Sequence, residues 1–284
     1  MRKSLYILLA LALVTSVGCS RKSTPPPVRI AYNYCTLSYT MAYWGKTEWT
    51  QELDRLQAAG YNAALLTAGL GKVWQITLWD LGYADPVLRS FATDSAYQAW
   101  WHMGNLEGTG GPVSEEQIEE DAELGCWLYS EMKRRGIEPM VQGFVGMVPS
   151  RLGLGLDQGL WCQVYRRPSV LDPRSREFEV FAESWYKNLK KVYQMDRAGI
   201  ARYLVGDLFH EGGRTGRLTE DDLTAMARSV QESEWRLFDS DVTWVLQAWQ
   251  INDAQKALFK GLSAKAPALK GRIFQAKNCK NIKK

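Results

Sequence analysis

Short apolar runs alternate with amphipathic stretches along this chain. VRIAYNY (28–34), YNAALLT (61–67), EPMVQGF (138–144), RYLVGDLF (202–209) and DVTWVLQAW (241–249) are nearly continuous in apolar character over the length of a strand. That is the pattern of strands buried on both faces. Helical patterns lie between them. Trp49, Leu53 and Leu56 share one face after a capping candidate at Thr47, and Gly60 can close that helix. Ser114 and Gln117 have capping-box spacing before a helix through Ile118, Ala122, Tyr129 and Met132 that ends near Gly136. A further helix is predicted near 176–194, and Thr219 opens another. Residues 69–112 read as a long excursion rich in glycine and tryptophan, and a glycine-rich loop follows the third strand.

Strands separated by helices in this order imply parallel βα units. An open Rossmann-like sheet would carry a phosphate-binding glycine turn after its first strand, and NYCTLSY (33–39) is not one. The expected fold class is therefore α/β, a (β/α)8-type TIM barrel that is incomplete, with about five of its eight βα units present. Polar and aromatic residues gather where the strands end: Asn33, Cys35 and Tyr39, then Glu211, then Gln247 and Trp249. A barrel carries its chemistry at that end. Glu211 stands out there, because an apolar run turns polar at Asp207 and ends in this acid followed by two glycines.

Composition and charge sharpen the picture. A 46% hydrophobic share over 284 residues is ample for a core, and 12 Trp with 13 Tyr is a heavy aromatic load. Flat apolar rings at loop mouths also stack on sugar rings, so the excess mildly favours a carbohydrate ligand. The formal charge of +4 hides an asymmetry: segment 256–284 has nine Lys/Arg and no acid, whereas 19–255 carries 24 basic against 31 acidic residues. No Arg-rich or aromatic recognition pattern accompanies the lysines, so a nucleic-acid partner is not expected. The shift reads instead as an atypical basic tail, from a change of reading frame or a frayed end.

Arg2 and Lys3 precede the apolar run LYILLALALVTSVG (5–18) and then Cys19. This is a charged n-region, a short h-region and a small residue before a cysteine. Residues 1–18 are expected to be a lipoprotein signal with lipid on Cys19; Ser16 leaves a plain secretory signal open. SRKSTPPP (20–27) completes a Pro-rich tether over 19–27, and the barrel portion occupies 28–255. Export and a membrane contact through an N-terminal lipid follow, in the periplasm or at the outer membrane or surface of a bacterium. Cys35, Cys126, Cys162 and Cys279 fit no zinc spacing, and two histidines exclude a His-rich metal site. GxSxG, Walker and GxGxxG motifs are missing from the sequence.

Six segments then carry a resemblance: NYCTLSYTMAYW (33–44), AGLGKVWQ (68–75), AYQAWWHMGNLEGTGGP (96–112), GFVGMVPS (143–150), GDLFHE (206–211) and WVLQAW (244–249). In order and spacing the chain resembles the α-N-acetylglucosaminidases of glycoside hydrolase family 89, from about Arg29 to about Leu262. The resemblance implies a glycosidase that removes terminal α-linked N-acetylglucosamine by a retaining, two-carboxylate mechanism, without a cofactor. It implies that Glu211 is the general acid/base, that His210 contacts the sugar or positions Glu211, and that Asn33, Cys35 and Tyr39 contact the sugar. Trp100, Met103, Trp161 and Trp249 are implied to wall the pocket. The nucleophile is expected on a strand not found in this sequence, since the tail SAKAPALKGRIFQAKNCKNIKK (263–284) is free of acids. Alternatives are a truncated, inactive sugar-binding lipoprotein or the product of a non-functional gene fragment.

Overall fold

The computed structural model describes residues 27–209 and 213–247 and the backbone of Phe274–Gln275. The main sheet contains β1 (Ile30–Ala31), β2 (Ala63–Leu65), β3 (Glu138–Gln142), β4 (Tyr203–Val205), β5 (Thr243–Leu246) and β6 (Phe274–Gln275), side by side in chain order. Every pairing is parallel. Parallel neighbours require crossovers, and these contain α1 (Lys46–Ala58), α2 (Leu70–Asp80), α3 (Glu115–Arg134), α4 (Arg176–Val192) and α5 (Glu220–Ser233). The sheet curls into a half-barrel, as the alternating apolar runs predicted. The segment expected to be an atypical tail contributes β6, whose backbone pairs Phe274 with Val245.

Strand alternation sorts the core into two clusters. Ala64, Val141, Leu204 and Trp244 pack outward with the helix residues Trp74, Leu128, Trp185 and Val230. Their neighbours Ala63, Met140, Val205 and Val245 point the other way and meet Tyr34, Ala99 and Met103 in a smaller cluster. Short strands with apolar residues on both sides are what a barrel wall requires.

Helix boundaries follow the capping chemistry. Ser114 Oγ accepts the Gln117 N–H at 3.1 Å while Gln117 Oε1 accepts the Ser114 N–H at 2.9 Å, the reciprocal box that the spacing predicted. Thr219 and Asp222 repeat it at the start of α5. The cap of α1 is Gly45 rather than the expected Thr47, because Glu48 Oε2 reaches back to accept the Gly45 N–H at 3.0 Å. Gly60 does close α1: its φ of +77° lets Tyr61 N–H donate to Leu56 O at 2.9 Å.

Three local expectations change. The strand over 28–34 shortens to β1, and Cys35–Ser38 winds into a 3₁₀ turn. The glycine-rich loop after β3 folds into two antiparallel pairs, Met147–Val148 with Ser169–Val170 and Leu160–Trp161 with Tyr165–Arg166. The excursion contains α2, whose start is obscured in the sequence by Gly69 and Gly71. That helix buries Leu70, Val73, Trp74, Thr77 and Leu78, with Trp74 against Trp185 at 4.7 Å between ring centroids.

Candidate active site

The strands all end on one side, and a hollow of 530 Å³, its open mouth included, lies there. Tyr32 and Tyr34 enter it after β1, Gln142 at the end of β3, Asp207 after β4 and Gln247 after β5. The first pair follows β1 directly, with the Tyr32 and Tyr34 rings edge-on at 5.7 Å between centroids. His102 and Met103, from the excursion, close one side.

A web of hydrogen bonds holds this cup. The Tyr34 hydroxyl donates to Gln142 Oε1 at 2.6 Å, and the Gln142 carbonyl accepts the Trp185 indole N–H at 3.2 Å. Gln247 N–H donates to Asp207 Oδ1 at 3.0 Å, and the Trp244 indole N–H donates to Gly206 O at 2.8 Å. Gly206 adopts φ +152°, and a Cβ there would meet Gln142 Nε2 at 3.1 Å and Val145 Cγ1 at 3.2 Å, so the cup wall needs glycine at this position.

Among the described residues, the cup combines neutral hydrogen-bonding groups with one acid, Asp207, and one buried cation, Arg167. Burial, followed by the neighbouring Tyr34 and Asp207, pushes the Tyr32 hydroxyl far above the usual phenol range; burial and Asp207 push Tyr34 up in the same way. Burial pushes the His102 imidazole down to about 3, so it stays neutral. Among the described residues, His102 Nε2 is buried without a hydrogen-bond partner. Neutral donors beside an acceptor suit a ligand bearing hydroxyl or amide groups.

An aromatic row lies beside the cup. Tyr39 meets Trp100 edge-on at 5.7 Å, Trp100 faces Trp161 at 6.1 Å and 33°, and Trp161 meets Tyr165 at 6.0 Å. Tyr39 is 68% exposed, an apolar surface left free at the mouth of a polar hollow.

The residues singled out in the sequence therefore divide. Met103 lines the cup, and Tyr39, Trp100 and Trp161 form the aromatic row. Asn33 turns its Oδ1 to the Cys35 N–H at 3.0 Å and borders a different hollow with Thr36 and Leu37. Cys35 is half-buried at the head of the 3₁₀ turn. Cys19, His210, Glu211 and Trp249 lie outside the described residues. Sequence reasoning left His102 without a role and passed over Tyr32, Tyr34 and Gln142; the two tyrosines at the end of the apolar run 28–34 were the available signal. Among the described residues, no three His, Cys, Asp or Glu side chains converge as a metal site would require.

Fold and cup together define a TIM-barrel protein with a candidate site at the C-terminal ends of the strands. The chain belongs to the alpha-N-acetylglucosaminidase (NAGLU) TIM-barrel domain family, whose profile matches residues 29–265. It is 26% identical over 239 residues to the human alpha-N-acetylglucosaminidase, covering 80% of this chain and 31% of that protein. It is similar to a family 89 glycoside hydrolase from Clostridium perfringens in complex with 2-acetamido-1,2-dideoxynojirmycin, with TM-score 0.76 and 33% identity over 85% of this chain and 28% of the other. A further structure, CpGH89 from Clostridium perfringens with two glutamates replaced by glutamine and in complex with its substrate GlcNAc-alpha-1,4-galactose, has TM-score 0.76 and 33% identity. That match covers 85% of this chain and 27% of the other. The chain thus spans less than a third of the length of these relatives.

Proposed function

We propose that this chain carries part of the catalytic barrel of a glycosidase that removes terminal α-linked N-acetylglucosamine from glycans. The cup carries the reading: neutral hydrogen-bonding groups and Asp207 sit at the C-terminal ends of parallel strands, with the buried Arg167 in the same lining and a row of aromatic rings beside it. The substrate of the similar bacterial hydrolase, GlcNAc-alpha-1,4-galactose, supports the sugar and its linkage. Replacement of two glutamates in that structure is in keeping with a retaining mechanism, which uses one carboxyl as acid/base and a second as nucleophile about 5–5.5 Å away.

Glu211 is assigned the first role. It protonates the glycosidic oxygen as the sugar leaves, then takes a proton from the water that releases the sugar. A carboxyl in that position must hold its proton near neutrality, which calls for an upward-shifted pKa. Asp207 is the carboxylate of the cup among the described residues, and its bond to the Gln247 N–H ties it to the sheet. The nucleophile is therefore assigned outside the described residues. Tyr39, Trp100, Met103 and Trp161, with Asn33, Cys35, His210 and Trp249, are assigned to sugar contact.

The test is hydrolysis of an aryl α-N-acetylglucosaminide by the chain and by Glu211→Gln. The variant is expected to lose about a hundredfold or more in kcat with an unchanged circular dichroism spectrum; an equal rate in the two proteins would remove Glu211 from the mechanism. A second reading, sugar binding without turnover, is favoured by Asp207 being the one carboxylate of the cup among the described residues and being tied to the Gln247 N–H. Calorimetric binding of N-acetylglucosamine by a chain that hydrolyses nothing would select it.

Export with lipid on Cys19 belongs to the same proposal, on the strength of the Arg2–Lys3 n-region and the apolar run before that cysteine. Cys19→Ala is expected to abolish incorporation of labelled fatty acid and to move the protein from the membrane to the soluble fraction. Labelling that persists in the variant would refute lipidation at this position.

A further inference from the structure

We propose that Glu107 is a positioning residue for the sugar site: it latches the hairpin Leu160–Arg166, and with it Trp161 and Arg167, against the segment that follows the helix Gln98–His102. The hairpin pairs Leu160 with Arg166 and Trp161 with Tyr165. It places Trp161 in the aromatic row, and Arg167, the next residue, lines the cup. A two-stranded hairpin is barely stable by itself in water. This one leaves Leu160 51% and Val164 71% exposed, so little apolar burial holds it down and polar ties at its ends matter more.

At the incoming end, Gln158 Nε2 donates to Arg214 O at 2.9 Å and Gln158 Oε1 accepts the Arg214 N–H at 2.7 Å. The outgoing end is tied through Glu107. Its N–H donates to Arg166 O at 2.9 Å. Its Oε2 accepts the Ser150 N–H at 3.1 Å, and its Oε1 accepts the Ser150 hydroxyl. Ser150 Oγ in turn accepts the Arg166 Nε–H at 3.2 Å. The segment after the helix, the 3₁₀ turn Ser150–Leu152 and the hairpin thus meet at one carboxyl, of a residue 9% exposed.

Charge couples this latch to its own opening. Arg166 favours the Glu107 carboxylate, and Asp157, 3.1 Å from Arg166, opposes it. Arg151, on the same turn as Ser150, is turned to Pro86 O and Ser90 Oγ at 2.8 and 3.1 Å. Burial outweighs the bonds from Ser150 and the pull of Arg166, and raises the carboxyl from its ordinary 4.5 to about 7. Lifting the hairpin lets water reach the acid, which then ionises at its ordinary value. The opened state therefore binds fewer protons between about pH 5 and about pH 7, and opening becomes easier as pH rises through that range.

The experiment measures amide hydrogen exchange of the full chain by mass spectrometry, in wild type, Glu107→Ala and Glu107→Gln. At one pH, Glu107→Ala is expected to speed exchange in the hairpin about tenfold and to leave α4 unchanged. Glu107→Gln keeps an acceptor for Ser150 and cannot ionise. The ratio of hairpin exchange in wild type to that in Glu107→Gln should rise about tenfold or more from about pH 5 to about pH 7.5. Calorimetric affinity for N-acetylglucosamine should fall about fivefold in Glu107→Ala. Unchanged hairpin exchange in Glu107→Ala would overturn the latch, and acceleration spread equally over α4 would make Glu107 merely structural. A flat ratio would overturn it too, because opening would then leave the surroundings of Glu107 unaltered. A loosened hairpin with undiminished affinity would overturn the positioning role. That role rests on the reading of cup and row as a sugar site; should wild type itself bind no N-acetylglucosamine, that reading falls, and exchange alone decides the latch. Should Glu107→Ala not fold, Ser150→Ala takes its place, with the same outcomes deciding.

Discussion

Gly125→Ala is expected to destabilise the protein by about 3 kcal/mol or more, although alanine is the better helix former. Gly125 lies inside α3, where exchanging glycine for alanine ordinarily gains about 1 kcal/mol. Here a Cβ would lie 2.1 Å from Ala68 O, 2.6 Å from Ala68 C and 3.0 Å from Gly69 N. These are backbone atoms, so no side chain can turn aside. The same peptide is held from two other directions: the Tyr193 hydroxyl donates to Ala68 O at 2.8 Å, and Gly69 N–H donates to Asp121 Oδ2 at 2.7 Å. Moving it far enough to admit a methyl group strains both bonds and shifts Gly69, which caps α2 at φ +96°. Gly71 provides the contrast. It lies inside α2 at an ordinary helical φ, and a Cβ there would approach nothing closer than Ile118 Cγ1 at 4.0 Å. Gly71→Ala should be neutral or slightly stabilising. Urea unfolding of the two variants checks the pair, and equal midpoints would refute the close approach of α3 to the Ala68–Gly69 peptide.

Glu234→Gln should flatten the dependence of stability on pH above the ordinary carboxylate range. Glu234 begins the π-helical turn Glu234–Phe238 after α5; it is 0% exposed, and among the described residues neither carboxyl oxygen has a hydrogen-bond partner. It packs against the backbone after β3, where a Cβ on Gly143 would lie 3.1 Å from Glu234 Oε1 and 3.6 Å from the Tyr186 hydroxyl oxygen. Burial pushes this carboxyl well above its ordinary 4.5. The native protein keeps the proton while the unfolded chain has already released it. Above the unfolded value the unfolded state therefore binds fewer protons, and stability declines with rising pH by up to about 1.4 kcal/mol per pH unit until the native group also ionises. Glutamine has nearly the same shape and cannot ionise, so this contribution disappears. Burial also raises Glu107 to about 7 and Asp121 to about 6, and both act in the same direction. Only the difference between wild type and variant isolates Glu234. Parallel stability–pH curves for the two proteins would show that Glu234 is ionised in the native state.

The two predictions differ in what could be read from residues alone. A glycine in DAELGCW (121–127) looks like a weak point of an otherwise good helix, and Glu234 looks like one more acid on a helical face. Both acquire their importance from neighbours far away in the chain, Ala68 for the glycine and Gly143 for the acid. His102 illustrates the same limit: within AWWHMGN (99–105) it looks like a polar loop residue, and it is 5% exposed between the cup and Trp101.

The sequence by itself determined what depends on chain neighbours. Nearly continuous apolar runs marked five strands, Ser114, Gln117 and Thr219 marked helix starts through bonds spanning three residues, and the spacing of six segments identified the family. Tertiary structure alone decided that Tyr34 would bond to Gln142 across the sheet and that Tyr39, Trp100 and Trp161 would form one row while Asn33 bonded to its own turn. It also placed α2 within a stretch whose glycines obscure a helix, by burying Trp74 against Trp185. Local hydrogen bonds and side-chain periodicity are encoded over a few residues, whereas burial and site geometry depend on which strand ends the closing sheet brings together.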